Sequence, residues 1–317
     1  MSVFLFVVTL LVRRVVCLSP ASKSPETSSS SRRGWLRTLA LSTATVVAPA
    51  VVPKMANGII NGADVSAEEA AKSGTVGLWI DLDECDICRH DVPAVGSGVL
   101  VGPRLVLSAG HCLEIPETLG GHLRRVVFTN DMFKKNAISV DVESYVRPSD
   151  VGVTTKKGKV PNDLVLIKLK KPAPESWNIL HLLEEDTNSI TLSGFGGADY
   201  EKVTLYGFGD AKDSEDDYSS GKLHKLQLAP ISPVNPKESA FYTEVLQKTS
   251  GSCSGDSGGP AVISSGLSGG PPDLVGVLAS NTMPCTGSNA LFMNPSFFRD
   301  FLRKGAAKLG AELGKPS

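Results

Sequence analysis

Ser257 stands in the run Gly255-Asp256-Ser257-Gly258-Gly259-Pro260, with glycines on both sides. Glycine takes positive φ at little cost, so such a chain turns sharply and lifts the hydroxyl clear. The same turn leaves neighbouring N–H groups free to face an anion. A serine hydroxyl is a weak nucleophile until a base takes its proton. His111, in Leu107-Ser108-Ala109-Gly110-His111-Cys112, offers that base, because imidazole titrates near neutral pH. A histidine in this role needs a carboxylate to hold its tautomer. Asp163 stands ahead of Leu164-Val165-Leu166-Ile167-Lys168-Leu169, the pattern of an acid at the mouth of a buried strand. Asp141 and Asp150 lack that setting. Each motif has a plain reading too, an ordinary glycine loop or a strand-start turn cap. Their joint presence in the order His, Asp, Ser favours nucleophilic acyl transfer.

In that order the three residues resemble those of chymotrypsin/trypsin-type serine proteases, and the likeness runs from about Ile59 to Leu302. Ile59-Ile60-Asn61-Gly62 resembles that family's mature N-terminus. Val95-Gly96-Ser97-Gly98-Val99-Leu100 resembles the strand before the histidine turn. Gly207-Phe208-Gly209 is similar to the family's Gly-Trp-Gly, and Leu274-Val275-Gly276-Val277-Leu278 to the strand lining the substrate cleft. The resemblance implies an all-β fold of two six-stranded antiparallel Greek-key barrels with a C-terminal helix. It implies a serine endopeptidase. Ser257 is then the nucleophile, His111 the base and Asp163 its partner, with the N–H groups of Gly255 and Ser257 as oxyanion hole. Cleavage before Ile59 would free an amino group to pair with Asp256, which makes the chain a zymogen.

The same resemblance implies a specificity. Trypsin-like members carry an aspartate six residues before the nucleophile, where this chain has Gly251, then Ser252. Ala279, Ser280 and Asn281 replace the usual Ser-Trp-Gly of the opposite wall, and Ala290 falls near a second lining position. Asn281 narrows the slot relative to glycine. A neutral slot of this kind implies small to medium apolar P1 residues. The implied partners are polypeptide substrates and protein inhibitors, met by a monomer that needs no cofactor and no metal.

Six cysteines are present. Cys253 and Cys285 match a family disulfide. Cys112 matches half of another, but Val95 stands where its partner belongs. Cys85 and Cys88 either pair with each other or send one member to Cys112. A thiol-disulfide carrier built on that C-x-x-C lacks its βαβ context. Zinc lacks a second C-x-x-C. A protease-like binding protein without turnover is the remaining rival, and three intact triad positions speak against it.

The balance of 32 Lys and Arg against 33 Asp and Glu leaves no net field to draw nucleic acid. Aromatic content of 6% offers no stacking platform for bases. Abundant glycine and proline suit a turn-rich β protein. The strand Val76–Ile80 opens the first barrel, and Val99–Val101 with Leu105–Leu107 forms a hairpin ahead of His111. Pro295 to Gly314 carries apolar residues at helical spacing. His90, His122, His181 and His224 lie in no catalytic motif, and the acidic stretch from Asp210 to Asp217 and the basic one from Lys156 to Lys159 read as solvated loops.

Residues 1–58 read as targeting sequence, 59–305 as the protease domain and 306–317 as a tail. An apolar run from Met1 to Val12 ends at Arg13 and Arg14, too short for a comfortable membrane span. A Ser/Thr-rich, acid-poor spacer follows, then Arg32-Arg33, a mild apolar run and Ala48-Pro49-Ala50. Those last features resemble a twin-arginine signal. Stacked signals point to a thylakoid lumen, with secretion or a periplasm as alternative. Membrane contact is expected only through this removable segment. Each destination permits disulfides.

Overall fold

The computed structural model describes residues 59–82, 93–153, 162–182, 203–211, 220–230, 237–263, 272–282, 284–287 and 289–314. The targeting region, Cys85, Cys88 and the basic loop lie outside these residues, as does most of the acidic one. The described chain forms two closed β-barrels and a C-terminal helix, the architecture expected from the sequence.

The first barrel is the ring β2 (Thr75–Asp81), β3 (Ala94–Gly102), β4 (Leu105–Ser108), β7 (Val165–Leu169), β6 (Ile138–Val146) and β5 (His122–Phe128). All its pairings are antiparallel. Period-two burial builds its core: Val76 and Leu78 of β2 meet Leu100, Val106, Val126, Phe128, Val165 and Ile167. The second barrel closes through β9 (Val203–Gly207), β10 (His224–Pro230), β11 (Ala240–Val245), β14 (Ala290–Met293), β13 (Asp273–Asn281) and β12 (Pro260–Ile263), which returns to β9. Its core gathers Leu205, Leu228, Phe241, Ile263, Val275 and Phe292. Two short strands join its rim: β1 (Ala63–Asp64) pairs β10, and β8 (His181–Leu182) runs parallel to β13.

A third cluster joins the barrels. Leu107 and Leu166 from the first pack with Phe208, Val277 and Met293 from the second and with Phe298 and Phe301 near the C-terminus. Leu107 is wholly buried; trimming such a side chain to alanine costs about 2–5 kcal/mol. Burial at this seam holds the two barrels in register, which matters because each contributes part of the site.

Helix α1 (Ala67–Lys72) starts at Ser66, whose hydroxyl accepts the Glu69 N–H. Helix α2 (His111–Thr118) follows β4, and α3 (Arg299–Leu309) closes the chain. Phe301, Leu302, Gly305, Ala306 and Leu309 make the buried face of α3. The tail expected from residue 306 therefore begins inside this helix. A Cβ at Gly305 would lie 3.1 Å from Val146 and 3.2 Å from Leu166, so the glycine lets α3 sit tightly on the first barrel. Gly310 ends it in the left-handed region at φ 60°. The chain then returns to β3, where the Gly314 N–H donates to the Val101 carbonyl.

Candidate active site

The β4–β7 register brings His111 and Asp163 together. Leu107 pairs Leu166 and Ser108 pairs Val165, so the end of one strand lies opposite the start of the other. His111 sits three residues past Ser108, and Asp163 two before Val165. The carboxylate engages the histidine twice. Its Oδ2 lies 2.7 Å from His111 Nδ1, and its Oδ1 accepts the His111 backbone N–H at 2.8 Å. Gly110 permits the approach, since a Cβ there would stand 3.2 Å from Asp163 Oδ1.

This geometry sets the proton affinities. Burial pushes the Asp163 carboxyl up, but the His111 charge and the hydrogen bonds from His111 and Gly110 outweigh it, leaving it below its ordinary value. Burial likewise disfavours the His111 imidazolium. The Asp163 charge and hydrogen bond, helped by Glu114, overcome that and hold His111 above the ordinary imidazole value.

Ser257 lies in the loop before β12. Gly255 at φ 91° and Gly258 at φ 83° bracket the Asp256-Ser257 pair in the left-handed region that favours glycine. Gly258 also needs the space, because a Cβ would meet Ser108 Oγ at 2.1 Å and the Ser97 carbonyl at 2.2 Å. Three successive N–H groups of another segment support this region, one through β3 and two directly on the loop. Phe208 N donates to Ser97 Oγ, Gly209 N to Asp256 Oδ1 at 2.8 Å, and Asp210 N to the Ser254 carbonyl at 2.7 Å. Both glycines of Gly207-Phe208-Gly209 make room for Asp256: a Cβ at 207 would lie 2.2 Å from its Oδ1, and one at 209 would lie 2.6 Å from its Cγ.

Asp256 is fully buried, and its second oxygen accepts the Cys253 N–H at 2.8 Å. Burial pushes its carboxyl up to about 8, against the pull of those two amides. Ile59, joined to the chain before it, is buried in the second-barrel core beside Leu228 and Phe241. Ile60 bridges Gly251, donating at 2.9 Å and accepting at 3.2 Å. Ile59 has φ 50°, an outlier for a β-branched residue, and Asn61 has φ 53°.

The expected slot residues occupy two facing segments. Cys253 is bonded to Cys285, which ties the Ser257 loop to the chain after β13. Ser252 is buried, and among the described residues its hydroxyl has no hydrogen-bond partner. Asn281, at the end of β13, donates through Nδ2 to the Ser252 carbonyl and so spans the two segments. Ala279 is buried at the seam between the barrels, and Ser280 is half-buried. Ala290 packs within the second-barrel core, across the strand pair from Asn281, and does not reach into open space.

Cys112 is a free, buried thiol, so it bonds to neither Cys85 nor Cys88. Burial raises its pKa to about 12. Its Sγ approaches the Ser257 carbonyl at 3.4 Å. His224 is wholly buried in β10 and joins Asp64 to the Lys222 carbonyl. The sequence carries no sign of Ser97, which touches the Ser257 loop at two points; a lone serine in a strand leaves no periodic signal of such contacts.

The family profile described as Trypsin matches residues 92–302. Snake venom serine protease KN5 of Trimeresurus stejnegeri is 29% identical over 203 residues, covering 58% of this chain and 72% of its own length. Trypsin-10 of Gadus morhua is 29% identical over 182 residues, covering 54% and 67%. Cationic trypsin-3 of Rattus norvegicus matches at 29% over 54% of this chain and 66% of its own. The chain belongs to the trypsin family and is a serine endopeptidase. Its Ile59–Gly62 segment lies outside the matched residues.

Proposed function

We propose that the protein cleaves polypeptides through a His111–Asp163–Ser257 triad, after small apolar P1 residues. The double grip of Asp163 on His111 carries the catalytic part. It fixes the Nδ1–H tautomer and leaves Nε2 to take a proton. Ser257 Oγ bonds to the scissile carbonyl carbon as His111 Nε2 takes the hydroxyl proton. The N–H groups of Gly255 and Ser257 receive the oxyanion; among the described residues neither donates elsewhere. Such a donor contributes about 3 kcal/mol to the transition state. The C–N bond then breaks as His111 returns the proton to the leaving amine. Water repeats the cycle on the acyl-enzyme and restores Ser257.

The bridge from Asn281 to Ser252 carries the specificity part. It shortens the slot from one wall to the other, and Gly251 supplies no charge for a basic side chain. A Lys or Arg there would be a buried, unpaired cation. Alanine and residues near its size fit best. Cleavage of the Gly58–Ile59 bond is the proposed activation step, with the new amine turning to Asp256. The stacked signals in residues 1–58 support delivery to a thylakoid lumen, which import into isolated plastids tests.

The functional test is a peptide-library digest by processed protein, with Ser257→Ala as control, joined to fluorophosphonate labelling. The expected result is cleavage after Ala in preference to Lys or Arg, with label on Ser257. Label without turnover, or cleavage after basic residues, overturns the matching half of the proposal.

A further inference from the structure

We infer that Ser97 is a positioning residue for catalysis, orienting the oxyanion-hole peptide of Ser257 by holding the peptides on either side of it. This rests on reading Ser257 as the nucleophile. Ser97 lies in β3, is wholly buried, and uses every polar atom it has. Its Oγ donates to the Gly255 carbonyl at 2.9 Å and accepts the Phe208 N–H at 3.0 Å. Its backbone N–H donates to the Ser257 carbonyl at 3.0 Å, and its carbonyl accepts the Ser108 hydroxyl at 2.7 Å.

The order of these bonds along the loop gives them meaning. The Gly255 carbonyl belongs to the 255–256 peptide, and the Ser257 carbonyl to the 257–258 peptide. Between them lies the 256–257 peptide, which carries the Ser257 N–H. One residue therefore pins both neighbours of a hole donor. The Asp256 N–H end of the first neighbour is tied as well, to the Cys253 carbonyl at 3.2 Å. A preorganised donor acts without reorganising during reaction, so its orientation is set beforehand by such contacts.

Ser97 also bridges the barrels, since β3 belongs to the first and the loop to the second. The strand position facing the Cys112 thiol is Gly96 and not the expected Val95, since a Cβ there would lie 3.6 Å from the Cys112 Sγ, and a glycine gives Cys112 no covalent tie to this strand. The Ser257 carbonyl instead receives the Ser97 N–H from β3 and approaches the Cys112 thiol at the start of α2. The loop lies directly on the strand at Gly258, where a Cβ would meet the Ser97 carbonyl at 2.2 Å.

The test compares Ser97→Ala with Ser97→Thr, which keeps a hydroxyl, and with Ser73→Ala. Ser73 is a buried hydroxyl of the same kind, bonded to Ala70 and Thr75 away from the loop. Ser97→Ala should lower kcat about 10- to 100-fold with KM nearly unchanged. The affinity for a peptide trifluoromethyl ketone, which places an oxyanion in the hole, should fall in parallel. Affinity for a product peptide should not. Ser97→Thr should recover part of kcat, and Ser73→Ala should lower Tm alone. If Ser97→Ala does not fold, Ser97→Cys, with its weaker donor, is read in its place by the same measures. Fluorophosphonate label on Ser257 with unchanged kcat, or a loss matched by Ser73→Ala, overturns the role of Ser97 and leaves the nucleophile intact. Absence of label on wild-type Ser257 overturns the reading of the site, and the role of Ser97 with it.

Discussion

Asp163 holds His111 by ring and backbone together, one carboxylate oxygen to each. The ring bond selects a tautomer. The backbone bond fixes where the first turn of α2 begins, so imidazole and carboxylate cannot drift apart independently. Asp163→Asn keeps the shape but puts an amide where an acceptor is needed. It should lower kcat about 10⁴-fold at neutral pH.

The same pair sets a pH dependence. In the proposed triad His111 must be neutral to accept the Ser257 proton, and Asp163 raises its pKa. The acidic limb of kcat/KM should therefore fall above the ordinary imidazole value. In Asp163→Asn the negative charge is gone, so the limb should move to lower pH. A pH–rate profile of the two enzymes checks this; an unmoved limb would show that another group governs it.

Ser257→Ala and His111→Ala should each remove nearly all turnover and leave the fold standing. If the two act in one proton transfer as proposed, the double variant should be about as inactive as either single one. Additive losses in kcat would mean that they work in separate steps.

The meeting of His111 and Asp163 was legible because apolar runs set the strands around it. Leu105–Leu107 and Leu164–Ile167 read as buried strands, and their antiparallel register then dictates where His111 and Asp163 meet. Ser97 was not legible, since its side-chain partners lie 111 and 158 residues away and leave no local pattern. Residue 305, read as the last of the protease domain, falls within α3, which runs to Leu309. Gly305 serves close packing there, and no spacing in the sequence marks where the helix ends. The place of Ala290 depends on a register shift between Leu278 and Ser280, which no spacing in the sequence announces.

Asn281→Gly removes the side chain that reaches Ser252 and should lengthen the slot. The ratio of kcat/KM for Leu over Ala at P1 should rise about tenfold or more, since each buried methylene is worth about 1–3 kcal/mol in a pocket that accepts it. Activity on Lys should stay poor, because Gly251 still supplies no counter-charge. A set of chromogenic peptides differing only at P1 measures both. An unchanged ratio would place the limit elsewhere in the cleft.

Cleavage before Ile59 should change stability in a pH-dependent way, and the sign follows from Asp256. In the intact chain this buried carboxyl titrates at about 8, against 3.8 for an ordinary aspartate. Across that window the unfolded chain has released a proton that the folded chain still holds. Its contribution is therefore fully present below pH 3.8 and is lost as pH rises through about 8. Cleavage places an ammonium in the same barrel, where pairing with Asp256 favours the carboxylate and flattens the loss. It also removes the residue whose carbonyl defines φ at Ile59, and with it a backbone strain of about 1–3 kcal/mol. Melting curves of Ser257→Ala protein, cut and uncut at the 58–59 bond, should thus diverge between pH 5 and 8, the cut form gaining most at the alkaline end. Parallel curves, together with full activity in wild-type protein that retains Gly58, would show that Asp256 is content with the Gly209 and Cys253 amides and that the bond is not the switch.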